Sequence, residues 1–235
     1  MSARGAADLP DLDDPGGLAR PTSAQQVAAR IRRMIFDQRL RAGDRVPQDE
    51  IAAELRVSRV PVREAVIALD SEGWVTLRPH LGVFVNGLDE YSVRDHYELV
   101  GLVYGMVARR VSERGSEDGM STLEDIHRRL QSAVDPDEFS ELNVTFVRHL
   151  IRMTRSRRIN AVFRVMTTAI VPGPFFGHFP DLIDTHKRGI QTVFDAVRAG
   201  DGAGAERAFV DLLRVETESV VALLASRGLL TDPVG

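Results

Sequence analysis

Apolar residues recur at helical spacing in three short segments near the N-terminus. The segments are residues 23–39, 47–55 and 59–69, and each carries polar or charged side chains on its opposite face. The apolar positions are Val27, Ile31, Met34 and Ile35 in the first, Ile51, Ala52 and Leu55 in the second, and Val62, Val66 and Leu69 in the third. This pattern predicts three helices, of which the second and third are joined by a turn of about three residues.

Directly after these segments, the spacing of apolar residues changes to alternation. Residues 74–77 and 83–85 alternate as two short strands, and residues 78–82 form a turn between them. Ser58 is a suitable N-cap for the third helix, and Pro61 lies in its first turn, where proline is tolerated. Three helices followed by a β-hairpin within about 65 residues are typical of a winged helix-turn-helix.

The rest of the chain has helical periodicity only. We predict helices near residues 91–114, 118–133, 136–154, 157–171, 180–199 and 203–226, with a break at Pro172, Gly173 and Pro174. The predicted fold is therefore mainly α: a winged helix-turn-helix over residues 22–87, then an all-helical bundle over residues 88–230. Residues 1–21, rich in Pro and Gly, are predicted to be a disordered tail.

Charge is unevenly distributed along the 235 residues. The net charge is −4, yet residues 20–85 hold eleven Arg and eight acidic residues, whereas residues 1–19 hold one Arg and four Asp. Attraction to phosphate requires a local basic surface rather than a basic protein. The chain has no Cys, no run of 18 apolar residues and no signal-peptide pattern, so we expect neither disulfides nor a membrane span, and a cytoplasmic location.

The start of the third predicted helix carries residues suited to reading DNA. Arg59 and Arg63 are four residues apart and share one helical face. A recognition helix points its N-terminal residues at base edges in the major groove, where Arg pairs with guanine O6 and N7. The Ser58 hydroxyl and the helix N-terminus are natural partners for a phosphate.

The same stretch carries a resemblance. The sequence SRVPVREAVIALDSEGWV, residues 58–75, resembles the GntR family of bacterial regulators, and QDEIAAELRV and LRPHLGVFV extend the similarity over residues 24–86. Together with its helical remainder, the chain resembles the FadR-like (FCD) subfamily. The resemblance implies a homodimer on a short palindromic operator in double-stranded DNA, with affinity modulated by a small-molecule effector. Repression is the commoner outcome in this family.

Further DNA contacts follow from the resemblance. It places the wing tip near the minor groove, at positions that match His80 and Gly82. A turn-forming Gly82 beside an exposed His80 is the simpler alternative. Some relatives carry an Arg at the position of Glu50, so we expect Arg45 or Arg56 to supply that phosphate contact here.

Many members of the subfamily bind a divalent metal through one Asp and three His, and the metal holds a carboxylate effector. The matching positions here are Asn143, Val147, His186 and Leu212, so His186 is the only ligand retained. Because Val and Leu cannot bind a metal and one neutral His is no tight site, we expect the metal site to be absent.

A second departure concerns the effector itself. An Arg and a Glu that relatives often carry in the first helix of this domain correspond to Val100 and Tyr104. These changes favour an apolar effector, such as an acyl or aromatic compound, or a domain that has lost ligand binding. The apolar residues could equally be ordinary core. Polar candidates on the predicted inner faces are Tyr97, Tyr104, Arg148, Arg152 and His186.

Two other classes of function compete with DNA binding. The chain contains no HExxH, Walker A or GxSxG motif, so we do not expect an enzyme. A winged helix used only for protein contact would not need Arg59 and Arg63 at the start of its third helix.

Overall fold

A computed structural model describes residues 22–115, 117–166 and 170–231, with the side chains of 164–166 left out. The N-terminal helices are α1 (Ser23–Phe36), α2 (Gln48–Leu55) and α3 (Arg59–Ser71), followed by the hairpin of β1 (Val75–Arg78) and β2 (Gly82–Val85). The predicted winged helix-turn-helix is thereby confirmed. The predicted disordered tail, residues 1–21, lies outside the described residues.

The local sequence explains where the N-terminal helices begin. Thr22 and Gln25 form a reciprocal capping box at the start of α1. Pro47 is the N-cap of α2 rather than its first residue, and Arg56 ends α2 in the left-handed conformation, with φ of 53°. Ser58 is the N-cap of α3, as predicted, but its hydroxyl makes no capping hydrogen bond. That hydroxyl is therefore available to a ligand.

Every element that the structure describes in the second part of the chain is a helix, as predicted. Its helices are α4 (Glu90–Arg114), α5 (Glu117–Ser132), α6 (Pro136–Met153), α7 (Arg157–Met166), α8 (Phe175–His178), α9 (Ile183–Arg198) and α10 (Gly202–Ser226). The long helices α4 and α10 run antiparallel, linked by Arg94–Glu218 at one end and Arg109–Glu206 at the other. Gly105 permits their close approach, because a Cβ there would lie 2.8 Å from the Glu206 carbonyl oxygen.

The segment between α7 and α9 differs from the prediction. The helix expected over residues 180–199 begins at Ile183, and a 3₁₀ turn (Pro180–Leu182) and the short helix α8 precede it. Helical periodicity cannot reveal a helix of four residues bounded by prolines. Phe176 anchors α8, since its ring is buried and its backbone N–H donates to Ser140 Oγ at 3.1 Å.

The N-terminal and helical parts meet around the end of α1. The Phe36 ring is buried between His178 of α8, with centroids 5.3 Å apart, and the guanidinium of Arg227, 4.4 Å from the Phe36 centroid. The Gln38 side chain donates to the Arg227 carbonyl. Thr231 N–H donates to the Leu88 carbonyl at 2.9 Å. The C-terminus of α10 and helix α8 therefore both contact the winged helix-turn-helix. Within the described part of the chain, no helix is long and apolar enough to cross a membrane.

Candidate DNA-reading groove and sensing site

An open groove lies between α3 and the hairpin, and arginines line it. Arg59 and Arg63 come from α3, Arg45 from the loop before α2, and Arg78 from β1. His80 and Gly82 of the hairpin turn line the same groove, so the structure brings together five of the six predicted DNA-binding residues. The sixth, Ser58, is exposed at the N-terminus of α3.

Arg59 is paired with a neighbouring carboxylate. Its Nε lies 3.1 Å from Asp49 Oδ1, and the two side chains are 86% and 78% exposed. An ion pair this exposed contributes little to stability, typically below about 1 kcal/mol. A phosphate or guanine can therefore displace Asp49, and the pair keeps the guanidinium at the mouth of the groove.

Arg45 is positioned by the backbone of the wing. Residues 43–46 pair with β2 as a third edge: Val46 N–H donates to Val83 O at 2.8 Å, and Val85 N–H donates to Asp44 O at 2.9 Å. The Arg45 side chain crosses Gly82, where a Cβ would lie 2.6 Å from Arg45 Nε. Gly82 also has a φ of +118°, which disfavours other residues. Gly82 thus shapes the wing and leaves space for Arg45.

The wing turn presents His80 to solvent. His80 is exposed and has a φ of 63°, a left-handed conformation that few residues other than Gly adopt, His more often than most. Leu81 N–H donates to the Arg78 carbonyl at 3.1 Å and closes the turn. The side chain is free to enter a minor groove, although its direct role stays a prediction.

Sequence reasoning missed two further residues of this surface. Arg78 stacks over the Phe84 ring, with its Cζ 4.9 Å from the centroid, and lines the groove from the wing. Val60 lies beside Arg59 in the first turn of α3 and is 64% exposed. An exposed Val there can contact a thymine methyl group. The sequence shows that Val60 lies two residues after the N-cap, but it does not show that the side chain is exposed.

In the helical part, His186 of α9 is the centre of a buried polar network. Its Nε2 lies 2.9 Å from Asn143 Oδ1 of α6, and its Nδ1 is hydrogen-bonded to the Glu216 carboxylate of α10. His186 and Glu216 are both almost fully buried. The rings of Phe176 and Phe139 pack edge-on against the imidazole, at 4.8 Å and 5.7 Å. The predicted positions Asn143 and His186 are thus in direct contact.

Glu216 was not singled out from the sequence. It lies one helical turn beyond Leu212, the position that matches the fourth metal ligand in relatives. The available signal is its spacing, because Glu216 follows Leu212 by four residues and shares its face of α10. A buried carboxylate cannot be distinguished from a solvated one by sequence alone.

These residues do not fit the divalent metal that the subfamily resemblance implies. The two His186 ring nitrogens point at different partners, and Val147 and Leu212 occupy two of the ligand positions as buried apolar side chains. Among the described residues, no group of three His, Cys, Asp or Glu side chains is placed to hold a metal. His186 Nδ1 is taken up by Glu216 and its Nε2 by the Asn143 amide oxygen, so neither nitrogen faces a point where further metal ligands converge.

Two tyrosines of α4 lie near Glu216. Burial raises the pKa of Tyr97 above its ordinary value, and the negative charge of Glu216 adds to the rise. The pKa of Tyr104 is raised by the same two causes, and Arg148 partly opposes the rise. Tyr104 packs against Phe209 and Phe163, with centroids 5.6 Å and 6.0 Å away. Both phenols are therefore neutral donors beside a carboxylate.

The remaining predicted effector residues are distributed unevenly. Val100, Val147 and Leu212 are buried in the continuous core, and Leu212 covers Gly189 of α9 closely. Arg148, which we expected on an inner face of α6, is exposed instead, as is Arg152. One residue along a helix is a rotation of about 100°, so the neighbour of buried Val147 faces outward. Its guanidinium nonetheless remains near Tyr104.

A winged helix that presents arginines into a groove, joined to a helical domain with a buried polar centre, defines a DNA-binding regulator of transcription. The sequence matches the model for "Bacterial regulatory proteins, gntR family" over residues 23–85, and the FCD domain over residues 95–215. The chain therefore belongs to the GntR family and carries an FCD domain. Both matched ranges lie within the two domains predicted from the sequence.

Known relatives agree with this assignment. An uncharacterised HTH-type transcriptional regulator of Mycobacterium tuberculosis is 27% identical over 210 residues, which cover 89% of this chain and 86% of that protein. The HTH-type transcriptional repressor RspR of Escherichia coli is 27% identical over 203 residues, covering 83% and 88%. The solved structure of E. coli McbR/YncC shares the fold, with a TM-score of 0.61 at 16% identity over 87% of this chain and 98% of the other.

Proposed function

We propose that this regulator is a repressor that binds a palindromic operator as a homodimer, and that a small molecule near His186 changes its operator affinity. The observation that carries the DNA-binding part is the groove in which Arg45, Arg59, Arg63 and Arg78 face one concave surface. A protein that binds chromosomal DNA in this way acts in the cytoplasm. The relative RspR of E. coli is named a repressor, which supports repression rather than activation of transcription.

Arg59 and Arg63 read bases, and the surrounding residues set the register. The first two turns of α3 enter the major groove, where each bidentate Arg–guanine pair discriminates by about 1–3 kcal/mol. Ser58 and Arg45 contact phosphates, and His80 at the wing tip reaches the adjacent minor groove. One recognition helix reads only a few base pairs, so useful specificity requires two half-sites.

The exposed face of α4 is the surface that would join two copies. Tyr91, Leu99 and Leu102 are 68%, 54% and 48% exposed. At about 100° per residue, they fall within one quadrant of the helix. Large apolar side chains grouped on one helical face mark an association surface. Because the interface of a symmetric dimer uses the same patch on both subunits, α4 would pack against its symmetry mate.

The effector would bind among Tyr97, Tyr104 and the His186 network. The buried apolar side chains of Val100, Val147 and Leu212 favour an acyl or aromatic group. Glu216 adds a buried acceptor, so the preferred effector also carries a hydrogen-bond donor. The hydrogen bonds that His186 makes to Asn143 and Glu216 take the place of metal ligation, and we propose that the domain works without a metal.

A physical route connects this site to the DNA-binding domain. Phe176 of α8 packs on His186, and two residues later His178 packs on Phe36 of α1. A ligand that displaces His186 or Glu216 moves α8 or α10, and both helices lead to contacts with Phe36. Binding would thus reorient the two recognition helices of the dimer relative to each other.

Selection of operators from genomic fragments tests this proposal, followed by transcription in vitro from a promoter that carries the selected sequence. We expect a palindromic site and less transcript as protein is added. Light scattering of Leu102→Glu, with Val144→Glu on α6 as a matched exposed control, tests the dimer. We expect Leu102→Glu to be monomeric, and wild type and Val144→Glu to be dimeric. More transcript would contradict repression, and a monomeric wild type would contradict the homodimer.

A further inference from the structure

We propose that a recess at the end of the helical domain distant from the DNA-binding domain binds a phosphate-bearing small anion. Arg110 and Arg114 of α4 and Arg155 after α6 line it, with Met153 and Thr154 as the remaining wall. The recess has a volume of about 270 Å³. This site is separate from the groove at α3 and from the His186 network.

The backbone fixes the three guanidinium groups on one recess. Arg110 and Arg114 are one helical turn apart, so their side chains leave α4 on the same side. Thr154 ends α6, and its hydroxyl donates to Ile151 O at 2.6 Å. Arg155 follows in the left-handed conformation, with φ of 51°, which turns the chain sharply after α6.

The arginines of this recess lack ion-pair partners within the described part of the chain, although Glu113 and Glu117 are near them in sequence. No ion pair joins Arg110, Arg114 or Arg155 to a carboxylate among the residues described. Residues 142–180 contain six Arg and no Asp or Glu, although the whole chain has a net charge of −4. The C-termini of α4 and α6 each contribute about half a negative charge, whereas the three arginines contribute three full positive charges.

Position excludes the operator as the ligand of this recess. Helix α4 begins beside the DNA-binding domain and spans 25 residues, so its C-terminal end lies about 37 Å further away. A duplex held by α3 cannot reach there. The paired N–H groups of a guanidinium match two oxygens of a phosphate. Three guanidinium groups therefore suit an ion with more oxygens than one carboxylate has. A diphosphate group meets that requirement within the available volume.

Titration calorimetry of the full chain with sodium pyrophosphate, at constant ionic strength, tests the proposal. The variant is Arg110→Gln/Arg114→Gln, with Arg155→Gln measured separately. The matched control is Arg128→Gln/Arg198→Gln, which alters two exposed arginines paired within their own helices, to Asp125 and Asp195. Far-UV circular dichroism confirms that each variant is folded.

We expect wild type and control to bind pyrophosphate alike, and both test variants to bind at least about tenfold more weakly. Equal affinity in all proteins, or no binding by wild type at millimolar concentration, overturns the proposal. It is also overturned if a short DNA duplex, and not pyrophosphate, loses affinity in the test variants, because the surface is then a nucleic-acid contact. Operator binding through Arg59 and Arg63 is measured separately and does not depend on this result.

Discussion

The His178 imidazole packs edge-on against the Phe36 ring, with centroids 5.3 Å apart. This contact joins α8, which packs on His186, to the last residue of α1. An aromatic pair of this geometry contributes about 0.5–1.5 kcal/mol beyond the burial of its surface. The contact is therefore strong enough to bias the orientation of the two domains.

Replacing His178 by Ala should loosen the end of α1 without unfolding the protein. We expect the backbone amides of residues 35–39 to exchange hydrogen about three- to tenfold faster, which corresponds to the lost pair energy. Hydrogen-exchange mass spectrometry measures this directly. His80→Ala in the wing is the control and should leave these amides unchanged. Unaltered exchange in His178→Ala would show that the contact does not hold α1.

Glu216→Gln should destabilise the helical domain. Removing one partner of a buried, hydrogen-bonded pair commonly costs about 3–5 kcal/mol, and we expect a loss of about 3 kcal/mol in the free energy of unfolding. Urea denaturation at neutral pH measures it. Glu218→Gln is the control, since Glu218 is an exposed partner of Arg94 and should cost less than about 1 kcal/mol. Similar losses in the two variants would mean that Glu216 is not part of a buried network.

Gly82→Ala should reduce DNA affinity through Arg45. The added Cβ collides with Arg45 Nε and forces the side chain out of the groove. Losing one phosphate contact should weaken binding about three- to tenfold. It should also reduce the slope of log affinity against log salt concentration by about one. Gly43→Ala is the matched control, because Gly43 also has a positive φ, of 85°, but has open space around it. Equal DNA affinity in the two variants would exclude this role of Arg45.

Much of this architecture could be predicted from the sequence, because long amphipathic segments and capping residues define helices locally. The winged helix and most helix bounds follow from such patterns, as the starts of α3 and α6 illustrate. The rest depends on tertiary contacts. Helix α8 is too short for periodicity, Glu216 is buried only because α9 and α10 meet, and Arg148 faces outward through the register of α6.

Acidification from about pH 6.5 to pH 5.5 should destabilise the protein. Burial lowers the pKa of His96, His127 and His149, so the folded state binds fewer protons than the unfolded chain. Their contribution is complete above about pH 6.5, the ordinary pKa of His, and is lost as the pH falls toward the lowered values. Urea denaturation across this range should show a falling free energy of unfolding, with a smaller slope in His127→Gln. Stability that rises toward pH 5.5 would contradict this assignment.

Base reading by α3 is tested most directly by fluorescence anisotropy of an operator duplex with wild type, Arg63→Gln and the surface control Arg128→Gln. A scrambled duplex is titrated in parallel over a salt series. We predict that Arg63→Gln binds the operator about 1–3 kcal/mol more weakly, which is about five- to 150-fold in affinity. Its affinity for scrambled DNA should fall far less. The control should bind like wild type. If Arg63→Gln binds the operator as tightly as wild type, or loses equally on both duplexes, α3 does not read bases and the proposed recognition of an operator is contradicted.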